Sequence, residues 1–310
     1  MAEEKLKLHH PWLVAVWPGM GHVALNAGIY LLAKLNMSLI TEFTSDELFD
    51  VEHVEVKDGI IQLVRRPRNR FFLWRDPKQQ HDLIVFVGEA QPPIGKYAFC
   101  RRLMTYACEL GAERVFTFAA MATQMQPDHP SRVFVAATDQ PSLDSVRGPA
   151  IKLLEDGQVD GLNGVLLVAA NECGLPGTCL LGEMPHIFAQ LSFPLASLVI
   201  LKVFASLINF ELDFGELEAR AHETAKQLCE LLTQAQHAYR DQFPEEEERF
   251  PPEPVDEDPN AVADKRRIEE LFDAAVRDRS KAFELKQELD RQQVFKDYED
   301  RFLDLFKKQK

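Results

Sequence analysis

The apolar positions of this chain fall into two patterns. Trp12 to Trp17 and Asp82 to Val87 carry short, nearly unbroken apolar runs without strict alternation. Runs of that kind predict strands covered on both faces in a parallel sheet. Other stretches repeat their apolar residues every three or four positions. His22 to Leu35 predicts a helix through Val23, Ala27, Tyr30 and Leu31. Tyr97 to Leu110 predicts another, with Phe99, Leu103, Tyr106 and Leu110 on one stripe and Gly111 as its stop. Met37 to Phe43 predicts a second strand, and Ser45 to Phe49 a capped single turn. Arg114–Ala120, Arg132–Ala137, Val165–Ala170 and Thr178–Gly182 predict further strands.

One segment departs from this alternation. Val51–Val56 and Ile60–Val64 flank Asp58-Gly59, a dipeptide that supplies positive φ to a hairpin. Arg70 to Trp74 reads as an extension of that small antiparallel unit. The remaining strands and helices alternate, so the fold class is α/β, with a parallel-dominated sheet between helical layers. From Pro194 the chain turns helical, and Leu217 to Tyr239 continues with an inward stripe of Leu228, Leu231, Leu232 and Ala235. Three parts are expected: a core over 1–240, an acidic proline-rich linker over 241–261, and a charged helix over 262–310. The linker joins Pro244-Glu245-Glu246-Glu247-Glu248 to Pro251-Pro252-Glu253-Pro254, a mixture that resists compact packing. On the last helix Phe295, Tyr298, Phe302 and Phe306 form an apolar face that needs a cover, so a protein partner is expected there.

Charge narrows the function classes. The net charge of −14, with no concentrated basic stretch, argues against nucleic-acid binding. Five cysteines without C-x-x-C spacing read as reduced thiols of a cytoplasmic protein. No signal-peptide pattern is expected from MAEEKLKLHHPWLV. Leu191 to Phe210 is long enough to span a bilayer, but Pro194, Lys202 and Asn209 interrupt it. A central Lys costs a spanning helix about 2.5–3.5 kcal/mol, so a buried or subunit-facing helix is expected instead.

Several motifs invite a chemical reading. Gly19-x-Gly21-x-x-Ala24 follows a predicted strand and opens a helix, and Glu42 follows at the spacing of a ribose-binding acid. Against a dinucleotide site stand Pro18, which stiffens the turn, the bulk of Met20, and the hairpin that interrupts the βαβαβ half. Gly88 to Lys96 lacks phosphate-loop spacing, and Tyr97 stands where a magnesium-binding Ser or Thr belongs. There is no G-x-S-x-G elbow, no H-E-x-x-H and no spaced His/Cys cluster, so neither a catalytic residue nor a metal or cofactor is assigned. Gly19 to His22, Glu42, Glu89 to Gln91, Met121 to Gln124, Asp139 and Asn171-Glu172 all follow predicted strands. A parallel sheet would gather them on one edge. The candidate ligand-binding residues are Gly19, Met20, Gly21, His22, Glu42, Glu89 and Gln91. Polar loop ends are common in any fold, and a glycine turn serves a sharp strand-to-helix reversal equally well.

The order of these motifs resembles the proteasome-assembly-chaperone superfamily, in its bacterial and archaeal relatives of the second chaperone subunit. The resemblance rests on Pro18-Gly19-Met20-Gly21, Thr41-Glu42-Phe43 with Glu47-Leu48-Phe49-Asp50, the Asp58-Gly59 hairpin and Phe71 to Trp74. It continues through Gly88-Glu89-Ala90-Gln91-Pro92, Gly161-Leu162-Asn163-Gly164, Leu180 to Pro185 and the apolar Pro194 helix, covering residues 10–240. It implies a three-layer α/β/α fold of the phosphorylase/hydrolase-like type and homo-oligomers, commonly trimers. Together with the lack of a catalytic set and two apolar faces that need cover, it leads to the expectation of a non-enzymatic, oligomeric scaffold or chaperone-like protein, with working surfaces on the apolar helix at 194–210 and the C-terminal helix. Chaperone members of the superfamily dock on the proteasome α ring through a C-terminal hydrophobic–Tyr–any tripeptide, whereas this chain reads Lys308-Gln309-Lys310. The rival expectation is an enzyme or small-ligand-binding protein that uses the strand-end cleft.

Overall fold

A computed structural model describes residues 6–49, 54, 56–62, 66–148, 151–242 and 260–277, with residues 281, 285, 288, 289, 298, 301 and 302. Their contacts divide into two compact units, one up to Asp241 and one from Gln242 onward. Residues 243–259, where most of the linker is predicted, lie outside the described residues.

The first unit is built on an eight-stranded mixed sheet. In chain order its strands are β1 (Trp12–Val16), β2 (Ser38–Glu42), β5 (Asn69–Trp74), β6 (Leu83–Gly88), β7 (Arg114–Thr123), β8 (Val133–Ala137), β9 (Ile151–Leu153) and β10 (Gly177–Pro185). β3 (Val56–Lys57) and β4 (Ile60–Ile61) form a separate two-stranded ribbon. The main sheet runs β2-β5-β6-β1-β7-β10-β8-β9. The four central strands, β6, β1, β7 and β10, are parallel. β5 opposes β6 on one side and β8 opposes β10 on the other.

β1 shows why the sheet has two cores. Every one of its residues is buried, and its side chains alternate between the two faces. Trp12, Val14 and Val16 enter the core beneath α1 (Val23–Lys34), α5 (Pro194–Ile208) and the start of α6 (Gly215–Gln242). Leu13 and Ala15 enter the core beneath α2 (Lys96–Glu109) and α4 (Gly161–Glu172). Helices therefore cover both faces, giving the expected three-layer α/β/α arrangement. A short helix, α3 (Gln140–Ser145), follows β8.

Four expectations are corrected. Val165–Ala170 is not a strand: it lies within α4, which Gly161 opens at φ +69. A six-residue apolar run cannot distinguish a buried strand from a buried helix face. Arg70–Trp74 does not extend the hairpin, because β5 pairs with β2 and β6 in the main sheet. The hairpin turn itself forms as read, with Asp58 at φ +51 and Gly59 at φ +77; its outer residues 51–53, 55 and 63–65 lie outside the described residues. The Pro194 helix is not an open docking surface. Ala196, Ser197, Ile200, Leu201 and Phe204 of α5 are all fully buried, the Ser197 hydroxyl donates to the Val23 carbonyl, and Lys202 leaves the core to pair with Glu218 at 2.6 Å.

The fourth correction concerns the second unit, which is not one straight helix. α7 (Asn260–Arg277) packs Ile268, Phe272 and Ala275 against Leu285 and Leu289, with Tyr298 and Phe302 beside them. Arg301 forms two 2.6 Å hydrogen bonds to Glu269, 32 residues earlier. A straight helix would hold residues that far apart about 48 Å from one another, so the segment folds back on itself. Phe295 and Phe306 lie outside the described residues. Among the described residues no helix is long and apolar enough to cross a membrane.

Sheet and helix approach closely at Gly182 of β10. A Cβ there would stand 2.5 Å from the carbonyl oxygen of Ala196 in α5. The neighbouring atom is backbone, so α5 itself would have to shift. Gly182→Ala is expected to cost about 1–3 kcal/mol in urea unfolding of the full chain. A change below about 0.5 kcal/mol would show that this contact does not set the helix position.

A candidate cleft at the strand ends

β1 connects through α1 toward β2, on one side of the sheet, whereas β7 is followed by strands on the other side. Divergent connections of this kind open a crevice at the carboxyl ends of two adjacent parallel strands. Here it is a cavity of about 370 Å³. Gly19 and Met20 line it after β1, Ala119 to Ala122 along the end of β7, Gln91 after β6, and Asp160, Gly161 and Asn163 at the start of α4.

The glycine turn is held by its backbone. Gly21 sits at φ +59, and a Cβ on it would meet the Met184 sulfur at 2.7 Å. Its amide donates to the Ala189 carbonyl at 2.8 Å, and its carbonyl accepts from the Phe193 amide at 3.0 Å. The His22 amide donates to the Gly19 carbonyl at 3.0 Å. These amides, which an anion would need at the helix start, already have partners within the fold. Gly19 is extended, and a Cβ there would meet nothing within 4 Å, so it leaves the cavity mouth open.

Gln91 clasps two sides of the crevice. Its amide nitrogen donates to the Pro18 carbonyl at 3.3 Å, and its Oε1 accepts from the Leu162 amide at 3.1 Å. Any Cβ at Gly161 would lie 2.6 Å from that Oε1, so the glycine makes room for the clasp. Two other lining residues carry buried polar atoms that take no hydrogen bond within the described residues, Asn163 Oδ1 and Trp17 Nε1.

The sequence-derived set is therefore divided. Gly19, Met20 and Gln91 line the cavity, while Gly21 and His22 shape its turn. Glu42 and Glu89 do not line it. Glu42 pairs with Arg68 at 3.7 Å. Glu89 pairs with Arg70 and accepts from the Arg68 amide at 3.0 Å, tying β5 to the end of β6. Asp139 and Asn171 line a different depression at the opposite edge, beside Arg114. β8 runs antiparallel to its neighbour, which sends Asp139 downward, and Asn171-Glu172 sit at the end of a helix rather than a strand. Among the described residues no group of three or more His, Cys, Asp or Glu could hold a metal.

Sequence reasoning missed Glu183, a buried carboxylate near the carboxyl end of β10. It opposes Met121, a cavity-lining residue of β7. Arg132 reaches both of its oxygens, through Nε at 2.6 Å and through Nη2. Thr123 donates to it at 2.9 Å, and the Ser131 hydroxyl donates to its carbonyl at 2.7 Å. Burial works to raise this carboxyl, but the bonds from Arg132 and Thr123 outweigh it and hold the group below its ordinary value. The only sequence signal was one acid in an otherwise apolar stretch, Leu180 to Met184.

A three-layer α/β/α unit with a mixed eight-stranded sheet and a glycine turn after its central strand defines a recognised class. The chain belongs to the PAC2 family, whose profile matches residues 13–232. It is 29% identical over 217 residues to MJ1210, an uncharacterized protein of Methanocaldococcus jannaschii, covering 69% of this chain and 80% of that one. Among solved structures it is similar to Pyrococcus furiosus PbaB, described as an archaeal proteasome activator, with a TM-score of 0.62 and 23% identity. That match covers 74% of this chain and 96% of PbaB. The Mycobacterium tuberculosis proteasome-assembly chaperone homologue Rv2125 matches with a TM-score of 0.61 and 21% identity, over 70% of this chain and 94% of that one. At these identities the structural likeness establishes the fold.

The Glu183 cluster makes a pH-dependent prediction. A carboxyl depressed in the folded state adds stability above its unfolded value, and that stability is lost as pH falls through the folded value. Arg132→Ala is expected to destabilise the chain near neutral pH by about 3 kcal/mol, the lower end for a broken buried pair because Arg132 is partly exposed. The penalty should shrink in acid as Glu183 becomes protonated. Urea unfolding near neutral pH and in mild acid checks this, and an equal penalty under both conditions would contradict it.

Proposed function

We propose that this protein is a non-enzymatic, cytoplasmic, homo-oligomeric scaffold of the assembly-chaperone type, most simply a trimer. The observation that carries this reading is an apolar rim beside the cavity mouth. Met20, Ile187 and Leu191 are 46%, 53% and 46% exposed. Backbone hydrogen bonds between Gly21 and Ala189, and between Leu191 and Phe188, fix the two segments that bear them. A rigid group of exposed large apolar side chains is a contact surface awaiting a protein. Glu42 and Glu89, two acids expected at this edge, are engaged by arginines outside the cavity. The protein-directed descriptions of PbaB and Rv2125 support the same reading. Five free thiols suit a reducing compartment. The C-terminal unit is the candidate arm for a further protein partner.

Light scattering coupled to size exclusion tests the proposal. The wild-type chain is expected to elute as a trimer at micromolar concentration. Ile187→Asp combined with Leu191→Asp is expected to yield a monomer with unchanged far-ultraviolet circular dichroism. A monomeric wild type, or a folded double variant of unchanged mass, would overturn it.

A second reading is favoured by the cavity itself, whose polar lining includes Gln91, Asp160 and Asn163. A small polar ligand there would lie against these side chains. Thermal-shift measurements with nucleosides, nucleotides and amino acids are expected to raise Tm by a few degrees for a matching ligand, and Asn163→Leu should abolish that shift. No shift at millimolar ligand would remove this reading.

A further inference from the structure

α2 and α4 run side by side on one face of the sheet, sharing a core of Phe99, Leu103, Leu162 and Leu166. They end together. Gly111 at φ +80 stops the chain just beyond α2, and Gly174 at φ +75 does the same beyond α4. Cys108 lies in the last turn of α2, and Cys173 is the residue immediately after α4. Both are exposed, and both are free thiols. Cys173 is a near neighbour of Cys108, close enough to bear on the ionisation of its thiol. The same pair of helices is joined by the Tyr97 hydroxyl, which donates to the Glu172 carboxylate.

The two thiols differ in setting from the other cysteines of this unit. Cys100 and Cys179 are buried in the core, and burial pushes each thiol up to about 12. Neither can meet an oxidant from solvent. Cys229 lies on α6, a helix of the opposite layer. Only Cys108 and Cys173 combine access to solvent with a neighbouring thiol.

We propose that Cys108 and Cys173 form a reversible disulfide that clamps the ends of α2 and α4, making the pair a redox-modification site. The oxidant is a low-molecular-weight disulfide of the glutathione type. One protein thiolate attacks a sulfur of that disulfide, forming a mixed disulfide and releasing one glutathione thiolate. The second protein thiolate attacks the protein sulfur of the mixed disulfide, forming the Cys108–Cys173 bond and releasing the second glutathione. Two protein thiols are oxidised and one glutathione disulfide is reduced to two thiols. Burial, followed by the neighbouring Cys173, holds the Cys108 thiol above its ordinary value. Because the thiolate is the reacting form, bond formation is expected to accelerate as pH rises. The bond would close a long loop that includes β7 to β9 and α4, so it should stabilise the fold by restricting the unfolded chain.

The test uses the full-length protein in glutathione buffers of increasing oxidised fraction, followed by alkylation, intact mass and peptide mapping. Two of the five thiols should be lost together and recovered with dithiothreitol, and the map should show a Cys108–Cys173 linked peptide within one chain. Oxidation should raise Tm by about 5–15 °C. Cys108→Ser and Cys173→Ser should each abolish both the linked peptide and the Tm rise, whereas Cys229→Ser should preserve them. Thiols lost singly as glutathione adducts, no loss in fully oxidised buffer, or a bond between two chains would overturn the proposal.

Discussion

The burial of β1 on all sides is the constraint from which the rest of this structure follows. Leu13 to Val16 are completely inaccessible to solvent, and the strand pairs in parallel with β6 and β7 along its two edges. A strand in that position needs an apolar side chain at every place, since neither face meets water. Its alternating side chains then define two cores and require a helical layer over each. The chain must also leave the sheet abruptly at its end. Pro18 to Gly21 make that turn, and Gly21 adopts a left-handed conformation where Met184 leaves no room for a Cβ.

The same constraint explains what the cleft contains. Connections diverge beside β1, so a cavity opens at its carboxyl end whether or not a ligand uses it. The groups around it divide by role. The Gly21 amide and Gln91 hold the turn to the elements nearby. Glu89 fastens β5 to β6 through Arg68 and Arg70. Glu183 anchors β10 to β7 and to the start of β8 through Thr123 and Arg132. A dinucleotide-like spacing of glycines can thus serve an architecture in which the helix-start amides are bonded internally. The exposed feature of this edge is its apolar rim, and that is why the proposed role is contact between proteins.

Much of this fold is legible along the chain because fully buried strands and amphipathic helices leave different periods. Trp12 to Val16, Leu83 to Gly88 and the stripe of α2 were readable for that reason. α4 was not, because Val165 to Ala170 is apolar at every position, as a buried strand would be, and its neighbours in the fold decide the outcome. Strand direction is likewise absent from local sequence. β8 and β5 run against the central strands, and the reversal of β8 moves Asp139 to the far edge. The gathering of Gly19, Met20 and Gln91 at one cavity was accessible from strand-end reasoning. The separation of Glu42 and Glu89 from it required knowing which arginines stand beside them. Glu183 carried almost no signal, since a single acid in an apolar run gives no hint that Arg132, 51 positions away, will meet it.

The central claim is that the rim beside the glycine turn is covered by protein in solution. Hydrogen–deuterium exchange measured across a dilution series tests it most directly. Peptides spanning 18–24 and 186–192 are predicted to exchange more slowly as concentration rises through the association range, while peptides on α2 and α4 remain unchanged. Exchange at the rim that is independent of concentration, in a sample whose mass changes over the same range, would contradict the account.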